Sequence, residues 1–184
     1  GLIVMKPDET NPDIIVDFIT GQSVPHVGPE INRQRVERYL VEEKGYRREE
    51  ILVDAPIAVD IDGEAYRSTV DLVVQIDERP LIAIKCAAGS LGSREREIVS
   101  AARLLTDSPL PLAVVSDGSD ATVLDGGSGK KRGSGMAAIP ARDEAAVMAQ
   151  ADPLPPVPAD RLAREKLVFR SYDSMNVNVR SQEP

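Results

Sequence analysis

Apolar residues recur along this chain in two rhythms, and the changes between them mark the elements. Segment 30–44, EINRQRVERYLVEEK, places Ile31, Val36, Tyr39 and Leu40 at the spacing of an amphipathic helix. Pro29 and Glu30 suit a helix start, and Gly45 sits where a C-terminal cap belongs. The rhythm then becomes strand-like. Residues 51–61, ILVDAPIAVDI, alternate in part, with Pro56 marking an edge strand or a bulge. Asp62-Gly63 is a hairpin signal. Residues 68–76, STVDLVVQI, form a second strand, 77–80 a turn, and 81–86, LIAIKC, a third. Helical spacing returns over 93–106, SREREIVSAARLLT, with Ser93 as the expected cap and Ile98, Ala101, Ala102 and Leu105 as the buried face. Pro109 and Pro111 end it. LAVVS (112–116) and ATVLD (121–125) follow as strands around the turn DGSD.

The order is therefore helix, three-stranded meander, helix, two further strands. That predicts an α/β class domain with a mixed sheet flanked by helices. The second helix is a crossover, which makes the next strand parallel to the third and places it on the far side. Residues 1–29 read as an N-terminal arm with a short strand at 14–19, residues 30–140 as the domain, and 141–184 as a Pro-rich spacer with a C-terminal helix. Within that last part, 141–150 suits a helix and DPLPPVPAD an extended spacer. Residues 161–175 have helical periodicity through Leu162, Leu167, Phe169 and Tyr172, fit to pack on the domain or on a partner. GGSGKKRGSG reads as a flexible basic loop. The tail helix and an edge strand both offer routes to a homodimer.

Composition narrows the classes. The formal charge is −8, which argues against a general nucleic-acid coat protein but leaves room for a local basic groove. One cysteine, Cys86, excludes an internal disulfide and a Cys-rich zinc site and fits a cytoplasmic protein; one histidine, His26, excludes clustered His ligands. No apolar run approaches the roughly 20 residues of a membrane helix. The opening GLIVMKPDET does not read as a signal peptide, and Met5 is the expected start.

Two charges stand inside apolar strands. Asp71 lies within STVDLVVQI and Lys85 between Ile84 and Cys86. Unpartnered burial of either is expensive. In a meander their strands are neighbours, so the two side chains can lie together on one face. The bland reading is a structural ion pair. The other is a reactive pair, because buried charges gather at functional sites. Cys86 reads as core, and GGSGKKRGSG lacks the spacing of a P-loop.

The stretches RQRVERYLVEEKGY, VDLVV, IKCAAGSLGSREREIVSAARLL and PLAVVSDG resemble the type I restriction enzyme R-subunit N-terminal domain family, in its short stand-alone branch, within the PD-(D/E)XK nuclease superfamily. The resemblance covers roughly residues 30–140. It implies a restriction-endonuclease-like core that binds DNA, works beside other restriction-modification subunits, and hydrolyses phosphodiester bonds with Mg²⁺. Asp71 then matches the metal-binding aspartate and Lys85 the lysine that orients water or stabilises developing charge.

Two positions depart from the family's motif. Val70 replaces its proline. Ala83 replaces the acidic residue two before the lysine, and strand alternation puts Ala83 on the face of Lys85. Three explanations follow. The carboxylate has moved to the next helix, as Glu95 or Glu97. The first helix supplies it, as Glu30 or Glu37. Or the site is inactive, and the domain is a nuclease-fold module that binds nucleic acid or protein without cutting. Arg94 and Arg96 on the second helix, and Lys130 and Lys131 in the Gly-rich segment, are candidates for a DNA backbone, against a plain solvated surface.

Overall fold

The structure, a computed structural model, describes residues 13–182. A two-stranded hairpin, β1 (Ile14–Val16) and β2 (Ser23–Pro25), precedes helix α1 (Gly28–Glu42). Six strands then build one sheet: β3 (Ile51–Ile61), β4 (Glu64–Ile76), β5 (Arg79–Cys86), β6 (Leu112–Ser116), β7 (Ala121–Asp125) and β8 (Lys131–Ser134), in that spatial order. Helix α2 (Glu95–Leu104) joins β5 to β6, whose pairing is parallel; the other ladders are antiparallel. This is the expected mixed α/β sheet, with the meander and the crossover where the sequence places them. Helices α3 (Arg142–Met148) and α4 (Ala159–Gln182) complete the fold. No helix among the described residues is long and apolar enough to cross a membrane.

The turns follow from their residues. Asp62 and Gly63 both take positive φ (53° and 83°), as a two-residue hairpin turn of the strand-compatible hand requires. Gly45 at φ 80° reverses the chain after α1, so the Tyr46 N–H reaches the Leu40 carbonyl at 3.0 Å. Buried Tyr46 donates its hydroxyl proton to the Pro140 carbonyl at 2.6 Å.

Two apolar layers sandwich the sheet. One holds Val36 and Leu40 of α1 against Ile51, Leu72, Val74, Ile82 and Ile84. The other holds Ile98, Val99 and Ala102 of α2, with Phe169 of α4, against Ile57, Val70, Val73 and Ala83. The β3–β4 ribbon serves both layers by changing its buried face midway. Ile51 and Val53 pack into the first layer, yet Ala55, Ile57 and Val59 pack into the second. Opposite them, Leu72 and Val74 face the first layer and Val70 the second. The change falls at Asp54, whose φ is 51°, beside Asp71. Aspartate is among the few non-glycine residues that adopt this backbone.

Three local expectations are corrected. GGSGKKRGSG contains an edge strand, β8, rather than a flexible loop. An edge strand needs backbone pairing more than apolar side chains, and lysines are common there. Asp125 orders its turn by accepting the Gly127 and Ser128 N–H groups at 2.9 and 2.8 Å. Ser93 does not cap α2; its hydroxyl donates to the Ser90 carbonyl at 2.9 Å, and a 3-10 turn over Gly92–Arg94 leads into the helix. The expected strand at 14–19 stops at Val16, because Asp17 starts a turn by accepting the Ile19 and Thr20 N–H groups at 2.9 and 2.8 Å.

That turn docks the arm on α1. Gln34 donates to Asp17 at 2.9 Å and to Glu37 at 3.1 Å, and Glu37 accepts the Ile19 N–H at 3.1 Å. Glu37 is completely buried. Burial, and then the neighbouring Asp17, push its carboxyl up to about 9. For Asp17, burial is outweighed by hydrogen bonds from Glu37 and from backbone N–H groups, which hold it low. The pair therefore keeps one proton at neutral pH, on Glu37.

Two outcomes follow. Phe169→Ala removes the side chain that inserts α4 into the second layer, edge-on to Tyr66 with ring centroids 6.4 Å apart. It should cost about 3–5 kcal/mol, read from chemical denaturation. Because the folded pKa of Glu37 lies above its ordinary value of 4.5, its stabilising contribution is full below 4.5 and is lost as pH rises through about 9. Glu37→Gln is neutral throughout. The wild type should therefore lose stability relative to this variant over that window, in denaturation midpoints measured across the pH range.

Candidate active site

The meander brings Asp71 and Lys85 together. Leu72 pairs with Ile84, so Asp71 and Lys85 stand one step further along the same ladder. Lys85 Nζ lies 3.7 Å from Asp71 Oδ2, and the same oxygen accepts the Cys86 N–H at 2.8 Å. Both side chains are mostly, though not fully, withdrawn from solvent.

A third charged group arrives from above the sheet. Helix α2 crosses β5, and Glu97, in its first turn, points down toward the lysine. Its Oε1 lies 3.7 Å from Lys85 Nζ. Ala83, where the family's motif has an acid, is wholly buried against the apolar layer beneath the same helix. The strand position is filled by packing, and a helix side chain stands beside Lys85 instead.

Glu97 is held asymmetrically. Asn176 Nδ2, from α4, donates to Oε1 at 2.6 Å. Oε2 is buried, has no hydrogen-bond partner, and lies 3.7 Å from Arg94 Nη1. Arg94 also donates to Asn176 Oδ1. Burial raises the Glu97 carboxyl above the ordinary range; Lys85 and Arg94 oppose that, and Asp71 adds to it.

Lys85, Asp71, Arg94 and Asn176 line a cleft of about 400 Å³, and buried Glu97 lies behind that lining, against Lys85 and Asn176. Glu30, Arg33 and Asp54 line the same cleft. Arg33 is itself buried, bidentate to Glu30 at 3.0 and 2.7 Å and bound to Asp54 at 2.8 Å. Pro25 and Val27 of the arm line the cleft as well.

The remaining candidates lie elsewhere. Two residues along a helix is about 200° around its axis, so Glu95 points away from Glu97. Glu95 lines a separate cleft with Arg96, Arg161 and Arg164. Arg96 is engaged by Glu165 through two hydrogen bonds, at 2.9 and 2.8 Å. Glu37 is sealed beside Asp17, behind Arg33 and off the cleft. Lys130 and Lys131 are exposed by the β7–β8 turn. β8 is three strands from β5, about 14 Å at the usual spacing.

Three cleft residues escaped the sequence reading. Asp54 carried the signal that exposed Asp71, a carboxylate within an apolar strand. Arg33 looked like part of the polar face of α1. Asn176 had no sequence signal, since only folding brings it to Glu97.

Among the described residues, no group of three or more His, Cys, Asp or Glu side chains is placed to hold a metal ion. Two carboxylates, Asp71 and Glu97, flank one ammonium. That donor set fits Mg²⁺, which takes oxygen ligands, is commonly held by one or two carboxylates and keeps several waters. The unbonded Glu97 Oε2 is consistent with it.

No curated protein and no solved structure matches this chain. The model of one family, described as type I restriction enzyme R protein N terminus (HSDR_N), matches residues 28–140. The match runs from the start of α1 past β8, and contains Asp71, Lys85, Arg94 and Glu97 but not Asn176. It spans more than half of the 184 residues, and the chain belongs to the type I restriction enzyme R protein N-terminus family.

Proposed function

We propose that this chain is a restriction-endonuclease-like domain that binds DNA and hydrolyses its phosphodiester bonds with Mg²⁺. The observation that carries the reading is Lys85 Nζ at 3.7 Å from both Asp71 Oδ2 and Glu97 Oε1, beside a cleft that Asp71 and Lys85 line. Asp71 and Glu97 would hold the metal, which when bound lowers the pKa of a water and offsets charge on the phosphate. Lys85 orients the attacking water or stabilises the charge that develops on the phosphate oxygens. Arg94, at the cleft wall, is placed to meet a backbone phosphate. Glu95 and Glu37 have no part in the metal set, and Arg96, Lys130 and Lys131 none in the cleft. Restriction-modification partners fit the family. Residues 1–184 contain no P-loop, so this domain does not itself supply ATP-driven translocation.

The reading has support from opposed electrostatics. Asp71 and Glu97 repel in one half-buried site, and two cations, Lys85 beside both and Arg94 beside Glu97, offset their charges. Arg33 answers the further carboxylates Glu30 and Asp54 in the same way. A divalent cation at Glu97 Oε2, which has no hydrogen-bond donor, would share that oxygen with Arg94, 3.7 Å away.

The test is cleavage of supercoiled plasmid by the full chain with Mg²⁺ or Mn²⁺. Asp71→Ala, Lys85→Ala and Glu97→Gln should each lose about 10²–10³-fold in rate, the usual effect of removing one electrostatic contact to the transition state. Glu95→Gln should stay within about twofold, below the effect of any such contact. Cutting that survives all three changes sinks the site. DNA retention without cutting by the wild type would instead favour a catalytically inactive nuclease-fold module that binds nucleic acid or protein.

A further inference from the structure

The helix that completes the cleft lies outside the part of the chain that defines the family. The family match ends at residue 140, and α4 runs over Ala159–Gln182. Near its end α4 makes two polar contacts one turn apart. Asp173 accepts hydrogen bonds from the Tyr66 hydroxyl at 2.5 Å and the Ser68 hydroxyl at 2.7 Å. Three residues on, Asn176 reaches Glu97 and Arg94. Tyr66 and Ser68 belong to β4, the strand that carries Asp71. So α4 ties the strand of one site carboxylate to the helix of the other.

The chemistry of Asn176 suits a particular task. Glu97 reaches Lys85 from a helix rather than from the strand, and its three side-chain torsions need fixing. Lys85, at 3.7 Å, offers it attraction but no close hydrogen bond. The Asn176 amide supplies that bond at 2.6 Å. It engages Oε1 and leaves Oε2 without a hydrogen-bond donor, 3.7 Å from Arg94 Nη1. The amide is neutral, so it orients the carboxylate without cancelling its charge. Asn176 is in turn oriented by Arg94, which fixes which end of the amide faces Glu97.

We propose that Asn176 is a positioning residue, held in place by Asp173, that presents Glu97 to a divalent cation, so that cation binding depends on the C-terminal helix. This rests on the metal reading given above. Groups that hydrogen-bond to metal ligands commonly contribute 10–100-fold in affinity.

The experiment is calorimetric titration of the full chain with Mn²⁺, alongside metal-free thermal unfolding. Asn176→Ala should bind Mn²⁺ about 10–100-fold more weakly when titrated well below its metal-free melting temperature, which falls only as far as the loss of one buried hydrogen bond requires. Tyr66→Phe, which removes one hydroxyl from the anchor and keeps the Asp173 charge that acts on Glu97, should move affinity in the same direction by a smaller factor, and it serves as the readout if Asn176→Ala does not fold. Unchanged affinity in both variants overturns the proposal while leaving the metal reading intact. Tighter binding in Asn176→Ala also overturns it, and would make α4 a competitor for the site. A wild type that binds no Mn²⁺, with Glu97→Gln indistinguishable from it, removes the metal reading and this proposal together.

Discussion

Lys85 is a cation held inside a sheet, and much of the structure around it answers that one cost. Its ammonium is mostly withdrawn from water, where an uncompensated charge would be shifted or neutralised rather than retained. Two carboxylates from different elements compensate it, Asp71 from the neighbouring strand and Glu97 from the crossover helix. Those carboxylates need their own partners: the Cys86 N–H for Asp71, and Asn176 and Arg94 for Glu97. The chain of obligation runs outward until it reaches α4. Networks of this kind are all-or-none in effect, since a half-satisfied buried polar group is worse than an apolar one.

The geometry of the sheet explains why this cluster forms where it does. The β3–β4 ribbon must cover α1 at one end and α2 with α4 at the other. It changes faces at Asp54 and Asp71. At such a change neither face is fully covered, so polar side chains are tolerated and a cleft can open. Asp54 takes the left-handed backbone there and turns its carboxylate to Arg33. The cleft thus lies at the one level where the ribbon leaves both apolar layers.

The family's motif places an acid where this chain has Ala83. Packing accounts for the difference. Ala83 lies wholly buried in the same apolar layer as Ile98 and Val73, where a carboxylate would lose its hydration. Glu97 meets the lysine from the helix side, where Asn176 and Arg94 can serve it. The second cleft follows a different logic. Glu165 draws Arg96 and Arg103 onto α4, so arginines that look available in sequence are holding two helices together.

The sequence by itself determined the meander, the crossover and the interior charges. These depend on periodicity, turn residues and the anomaly of a charge in an apolar strand, all of which act between residues close along the chain. It also narrowed the third site group to a few carboxylates, and helical geometry alone separates Glu95 from Glu97. The tertiary structure decided the rest. Whether Glu37 is a ligand or a sealed proton store depends on Asp17, twenty residues away in the arm. Whether Arg96 meets a ligand or a helix depends on Glu165. That Asn176 touches the site depends on α4 packing back across the whole domain. Such contacts are made by surfaces that meet only after each has folded, and no local rhythm of apolar and polar residues records which surface will meet which.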